Sequence, residues 1–186
     1  MNFRVLLLVG LSMMGFLGCN QGNIDMDNAG DEALEVSIDE LSYDMAPGQY
    51  QRIKLEKGRH LLKIKRKTED GEKIVEADFR VVEGGLLNLA KTNYLVWTDL
   101  YGDPMLRESK LEEEWIEIDG HDYRGEFEKL DTAQFYIEKK WDYGLGEDFP
   151  DDLLGWEMGK EKYIIKRKLF RQEELIQAYN ALVKEK

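Results

Sequence analysis

From Leu34 onward, apolar and polar residues alternate in short runs, and each run closes on a turn signal. Leu34, Val36 and Ile38 alternate with polar neighbours; Ala46-Pro47-Gly48 marks a turn; Tyr50, Ile53 and Leu55 lead to Lys57-Gly58. Leu62 and Ile64 alternate with Lys63 and Lys65 ahead of Asp70-Gly71. A period of two puts the apolar side chains of each run on one face of a strand. Residues 74–82 read as a long strand broken at Gly84-Gly85, and residues 94–101 (YLVWTDLY) as an apolar central strand. Many short strands at regular spacing predict a sandwich or barrel.

The second half is read the same way. After Gly102-Asp103-Pro104, residues 105–114 are charged and suit a short helix or connector. Trp115, Ile116 and Ile118 begin a strand that ends at Asp119-Gly120; Phe135, Ile137 and Trp141 suggest another; residues 162–170 (KYIIKRKLF) are a β run. Residues 171–184 form the one amphipathic helix, with Leu175, Ile176, Tyr179, Leu182 and Val183 at helical spacing. The expected fold class is mostly β (α+β): an antiparallel β-sandwich-like domain over residues 34–104, then a smaller β segment and a C-terminal helix over residues 105–186, packed on the first.

The N-terminus carries a different signal. Arg4 precedes an almost unbroken apolar run over residues 5–18, and the run ends on Gly18-Cys19, with Cys19 the only cysteine of the 186 residues. A charged start, a short apolar core and a small residue before the cut describe a secretory signal peptide, residues 1–18. The run falls short of the ~20 residues that span a bilayer. Phe16-Leu17-Gly18-Cys19 resembles the lipobox of bacterial lipoproteins. The resemblance implies that Cys19 takes a diacylglyceryl thioether, becomes the mature N-terminus and anchors the chain to a membrane. It places the protein in the bacterial cell envelope, and Asn20 leans towards the outer membrane where there is one. Residues 20–33 hold four acidic residues, no basic ones and little apolar content. They read, with Cys19, as a solvated tether of residues 19–33, with a reach of about 20 Å.

Composition excludes some functions. The formal net charge is −12, so nucleic acid is not an expected partner, since phosphate binding needs a basic footprint. With one cysteine assigned to lipid and two histidines in the chain, no metal site and no cofactor is expected. Asp119, His121 and Asp122 share a turn and read as hairpin chemistry. The two Ile-Lys-Arg-Lys runs, at Ile64 and Ile165, read as solvated strand faces. Glu147, Asp148, Asp151 and Asp152 crowd a glycine-containing loop, where catalytic carboxylates would be poorly held. No catalytic residue is assigned. Trp97 is expected in the core, whereas Trp141, Tyr143 and Trp156 flank the acidic loop and form the candidate binding surface.

Pro47-Gly48, Tyr50, Ile53, Leu55, Gly58, His60, Leu62 and Ile64 resemble the PEGA-type surface module, over residues 34–82. That module implies a small envelope β-sandwich without catalytic residues, with His60 structural. The chain is therefore expected to be a non-catalytic, lipid-anchored envelope protein presenting a β-rich binding or assembly module, its partners the membrane through Cys19 and an envelope protein or glycan. A carbohydrate-binding surface lipoprotein is the alternative, and an envelope enzyme of unknown class the third reading.

Overall fold

The computed structural model describes residues 21–68, 71–150, 153 and 159–184. The segment read as a signal peptide, residues 1–18, lies outside the described residues, as do Cys19, Asn20 and Trp156. Among the described residues twelve strands form three four-stranded sheets. They are β1 (Gln21–Asp27), β2 (Leu34–Ile38), β3 (Leu41–Met45), β4 (Tyr50–Glu56), β5 (Gly58–Thr68), β6 (Gly71–Val81), β7 (Gly84–Asn88), β8 (Tyr94–Gly102), β9 (Glu114–Ile118), β10 (His121–Lys129), β11 (Tyr136–Glu138) and β12 (Tyr163–Arg171). A short helix α1 (Arg107–Lys110) follows β8, and α2 (Gln172–Lys184) closes the chain.

The sheets stack as layers. The outer sheet runs β3-β2-β5-β6, the middle sheet β11-β7-β1-β4, and the third β12-β8-β10-β9. Ile24, Met26, Leu87 and Leu89 of the middle sheet and its continuation pack with Val36, Ile38, Leu62 and Ile64 of the outer sheet. On its other face Leu86 meets Tyr94, Val96 and Leu169 of the third sheet. The far side of the third sheet is covered by α2, whose Leu175 and Tyr179 pack with Trp97, Tyr123 and Phe170. The mostly β class with its C-terminal helix is thus observed, with a middle sheet buried on both faces.

Three expectations change. Residues 21–27 are not tether but strand β1, antiparallel to β4 and parallel to β7. Its residues alternate: Ile24 and Met26 enter the apolar core, while Asp25 meets Arg52 of the neighbouring β4 and Asp27 meets Arg171 of the third sheet. The boundary at residue 104 also does not divide the fold, because β8 lies between β10 and β12, and β11 joins the middle sheet. Finally, Gly84-Gly85 opens strand β7 rather than ending one. A β-carbon on Gly84 would stand 2.7 Å from the Asn23 carbonyl oxygen, and one on Gly85 2.3 Å from that of Ile137. Glycine here admits neighbouring strands to close range.

The expected strands elsewhere are present. Trp97 is buried in β8, and residues 163–171 form β12. Asp119-Gly120 turns the β9–β10 hairpin with both residues at positive φ, the geometry of a two-residue primed turn.

Gly85→Val should cost about 1–3 kcal/mol, the range of an overpacked core, because the new side chain displaces β11 from β7. Urea unfolding measures this; Gly48→Asn, at φ 70° with open space around it, is the control and should change little.

Candidate functional site

Two carboxylates on β1 organise the interior. Asp27 is fully buried. Arg171, the last residue of β12, donates to it through Nε at 2.9 Å and through Nη2, and Nη2 also donates to the Gly48 carbonyl at 2.9 Å. The Tyr94 hydroxyl donates to Asp27 Oδ2 at 2.5 Å. Burial first, then the Asp27 charge, holds that phenol in its neutral form well above the usual range. Asp25 accepts from Arg52 Nε at 2.8 Å and from the Tyr50 hydroxyl at 3.0 Å. Burial, reinforced by Asp25, pushes Tyr50 up to about 12.

Arg52 extends this pairing to the acidic loop. Its Nη1 donates to Glu147 Oε1 at 2.6 Å, while Glu147 Oε2 accepts from the Gly144 amide at 2.6 Å. The Arg52 hydrogen bond is the chief reason that Glu147 titrates below an ordinary glutamate. Lys168 is buried and donates to the carbonyls of Gly144 and Glu147; burial lowers its pKa. Phe149 inserts among Trp97, Tyr101, Tyr143 and Phe170. These contacts fasten the loop to two sheets, so its glutamate acts as a structural staple.

Of the expected binding residues, Trp141 and Tyr143 are described, and they do not form an exposed aromatic surface. Trp141 is buried at 4% exposure, with Leu145 and Leu169. Tyr143 is half-buried, bridges to Lys168 and lies edge-on to Phe149. The acids Asp151 and Asp152 lie outside the described residues. The Ile165 run also departs from a solvated face, since Lys168 points inward. His60 is structural as expected: Nδ1 lies 2.7 Å from Asp39 Oδ2, Nε2 lies 2.8 Å from the Glu56 carbonyl, and the ring packs on Phe79. The Leu61 amide and then His60 hold Asp39 below the usual carboxylate range. Asp119 accepts from Gln172 Nε2 at 3.2 and 3.1 Å, joining the β9–β10 turn to the start of α2.

A different place offers itself for binding. Strand β6 is the edge of the outer sheet and β11 the edge of the middle sheet. Between them runs an open groove of about 730 Å³, lined by Phe79, Arg80 and Val82 on one side and by Lys91, Phe135 and Tyr136 on the other. Phe79 and Tyr136 meet at 5.2 Å to form its floor. The Tyr136 hydroxyl donates to the Gly84 carbonyl at 2.8 Å, and burial pushes it up to about 12. Lys91 Nζ stands 4.3 Å over the Phe135 ring. The sequence hid this groove because its walls come from residues 77–82 and 133–138, strands of different sheets. Comparison with family models, with curated proteins and with solved structures finds no match.

Asp27→Asn should destabilise the fold by about 3–5 kcal/mol, since it leaves Arg171 without its buried partner. Chemical denaturation checks this, and restoring part of the loss with Arg171→Met in the same chain shows that the cost is the orphaned charge.

Proposed function

We propose that the protein is a non-catalytic envelope lipoprotein, held by a diacylglyceryl group on Cys19, that presents a β-rich binding module. The observation that carries the binding part is the groove between β6 and β11. Its walls are two sheet edges, whose outward backbone N–H and C=O groups suit an extended polypeptide segment added as a strand. Its floor is aromatic, which favours pocketing alternate side chains of such a segment. Glu72, Lys73, Glu76, Asp78 and Arg80 along β6 keep that edge from indiscriminate pairing.

The described carboxylates on β1 do not favour the enzyme reading, because Asp25 and Asp27 are engaged by Arg52, Tyr50, Arg171 and Tyr94 inside the fold. The glycan reading loses Trp141 to the core. The anchor reading rests on the Gly18-Cys19 pattern and the resemblance it carries.

A photo-crosslinking residue at Gln134 in the groove, introduced into the full chain in its native membranes, should give a discrete adduct with an envelope polypeptide. The same residue at Ser42, on the opposite edge strand β3, should not. Equal labelling from both sites, or none from Gln134 while the chain stays on the membrane, contradicts the binding module. Cys19→Ala should release the chain into the aqueous phase without lipid; persistence in the detergent phase contradicts the anchor.

A further inference from the structure

We propose that the end of the stack from which β1 starts lies flat against an anionic lipid bilayer, the one that holds the Cys19 anchor. This inference rests on the anchor reading above and adds an orientation and a lipid-contacting face to it.

The first argument is length. Only Asn20 separates Cys19 from Gln21, where strand β1 begins. Two residues reach at most about 7 Å when fully extended. With β1 built into the middle sheet, a lipid on Cys19 brings this end of the molecule to the headgroup layer, leaving no room for a spacer. The start of β1 pairs with the end of β4 at Glu56, and its Gly22 sits against Glu83 and Val81. The membrane-proximal surface is therefore built from the β4–β5 turn, the β6–β7 turn and the segment after β11.

The second argument is charge. In the middle of β5 Lys63 pairs with Glu76 at 2.9 Å and Lys65 with Glu72 at 2.8 Å, whereas Arg66 and Lys67 at its far end have no described ion pair. At the β1 end a facing pair has like charges. Arg59 and Arg80 stand directly opposite one another on neighbouring strands, both exposed, and neither is among the described ion pairs. Like charges opposed across a strand pair are unfavourable unless an anion joins them. Lys57 on the adjoining turn is exposed as well. Around the edge, a concavity of about 560 Å³ holds Lys139, Lys140 and Arg167 beside Glu83 and Asp142. Lys140 pairs with Glu128, whereas Lys139 and Arg167 have no described ion pair.

Apolar side chains accompany the cations. Val82, on the β6–β7 turn, is 46% exposed, and Ile165, in the same concavity as Lys139, is 37% exposed. A basic rim with short apolar side chains suits the headgroup region, where cations meet lipid phosphates and small apolar groups enter the acyl boundary. The overall charge of −12 disfavours approach to the same leaflet except through a face where cations gather, and this repulsion acts within a Debye length of about 8–10 Å.

The test uses the full lipidated chain reconstituted into phosphatidylcholine vesicles with or without phosphatidylglycerol. With Cys19 blocked by lipid, Val82→Cys provides one labelling site for an environment-sensitive fluorophore, and Lys67→Cys, far along β5, provides a control. In phosphatidylglycerol vesicles the Val82→Cys probe should shift to the blue and be quenched by lipid-borne nitroxides, and the Lys67→Cys probe should stay water-like. Arg59→Glu with Arg80→Glu should bring the first probe to the level of the second while the chain remains on the vesicles. Water-like emission from both sites on a vesicle-bound chain overturns the orientation, and so does a signal at 82 that is the same without phosphatidylglycerol. A blue shift that lipid nitroxides do not quench marks a protein partner on this face and also overturns it. Labelling of the otherwise unmodified chain at Cys19, with no vesicle binding, overturns the anchor reading instead.

Discussion

The fold depends on a carboxylate that never meets water. Asp27 lies in the middle of three sheets, and Arg171 and Tyr94 reach it from the third sheet. Without that pairing the middle sheet would present a buried negative charge to an apolar layer, a cost of several kcal/mol. With it, β1 can be covered on both faces. Asp25 repeats the arrangement two residues earlier with Arg52 and Tyr50, and Arg52 passes the link on to Glu147. One side of a single strand thus carries ion pairs, Asp27 to the third sheet and Asp25 to the neighbouring β4, while the other side carries Ile24 and Met26 into the apolar core.

That double role explains what was legible in the sequence and what was not. Strands with one buried face, such as β5 and β9, show their alternation plainly, and β8 shows itself as a continuous apolar run. The helix α2 shows its apolar stripe for the same reason. Strand β1 alternates too, but its second face is acidic, and acid next to glycine has the composition of a solvated segment. Only the partners, Arg52 and Arg171, distant in the chain, make those acids interior residues. Strand β7 was hidden by Gly84 and Gly85, whose use is close approach between strands rather than a turn. Trp141 was misplaced because an aromatic beside an acidic loop looks exposed until that loop is seen fastened down by Glu147 and Lys168. Lys168 itself belongs to a basic run that sequence periodicity assigns to solvent. His60 was legible because the turn next to it was.

The same strand connects the fold to the proposed function. Since β1 begins two residues after Cys19, the anchor proposed there would act on the folded stack itself. The groove between β6 and β11 shares Arg80 and Val82 with the face proposed to meet the membrane. A segment bound in it would run along the side of the molecule, away from the lipid. On the proposed function, anchoring and binding would be two uses of one geometry, in which the layered stack sets the angle at which a partner meets the membrane surface.

The account stands on β1 being a buried central strand. Native-state amide hydrogen exchange on the full chain measures this directly. The amides of Ile24, Asp25, Met26 and Asp27 should belong to the slowest-exchanging class and open only with the global unfolding of the protein. Exchange of these amides at the rate of an unstructured peptide would contradict the account, returning residues 19–33 to the tether reading and withdrawing the proposed seating on a membrane.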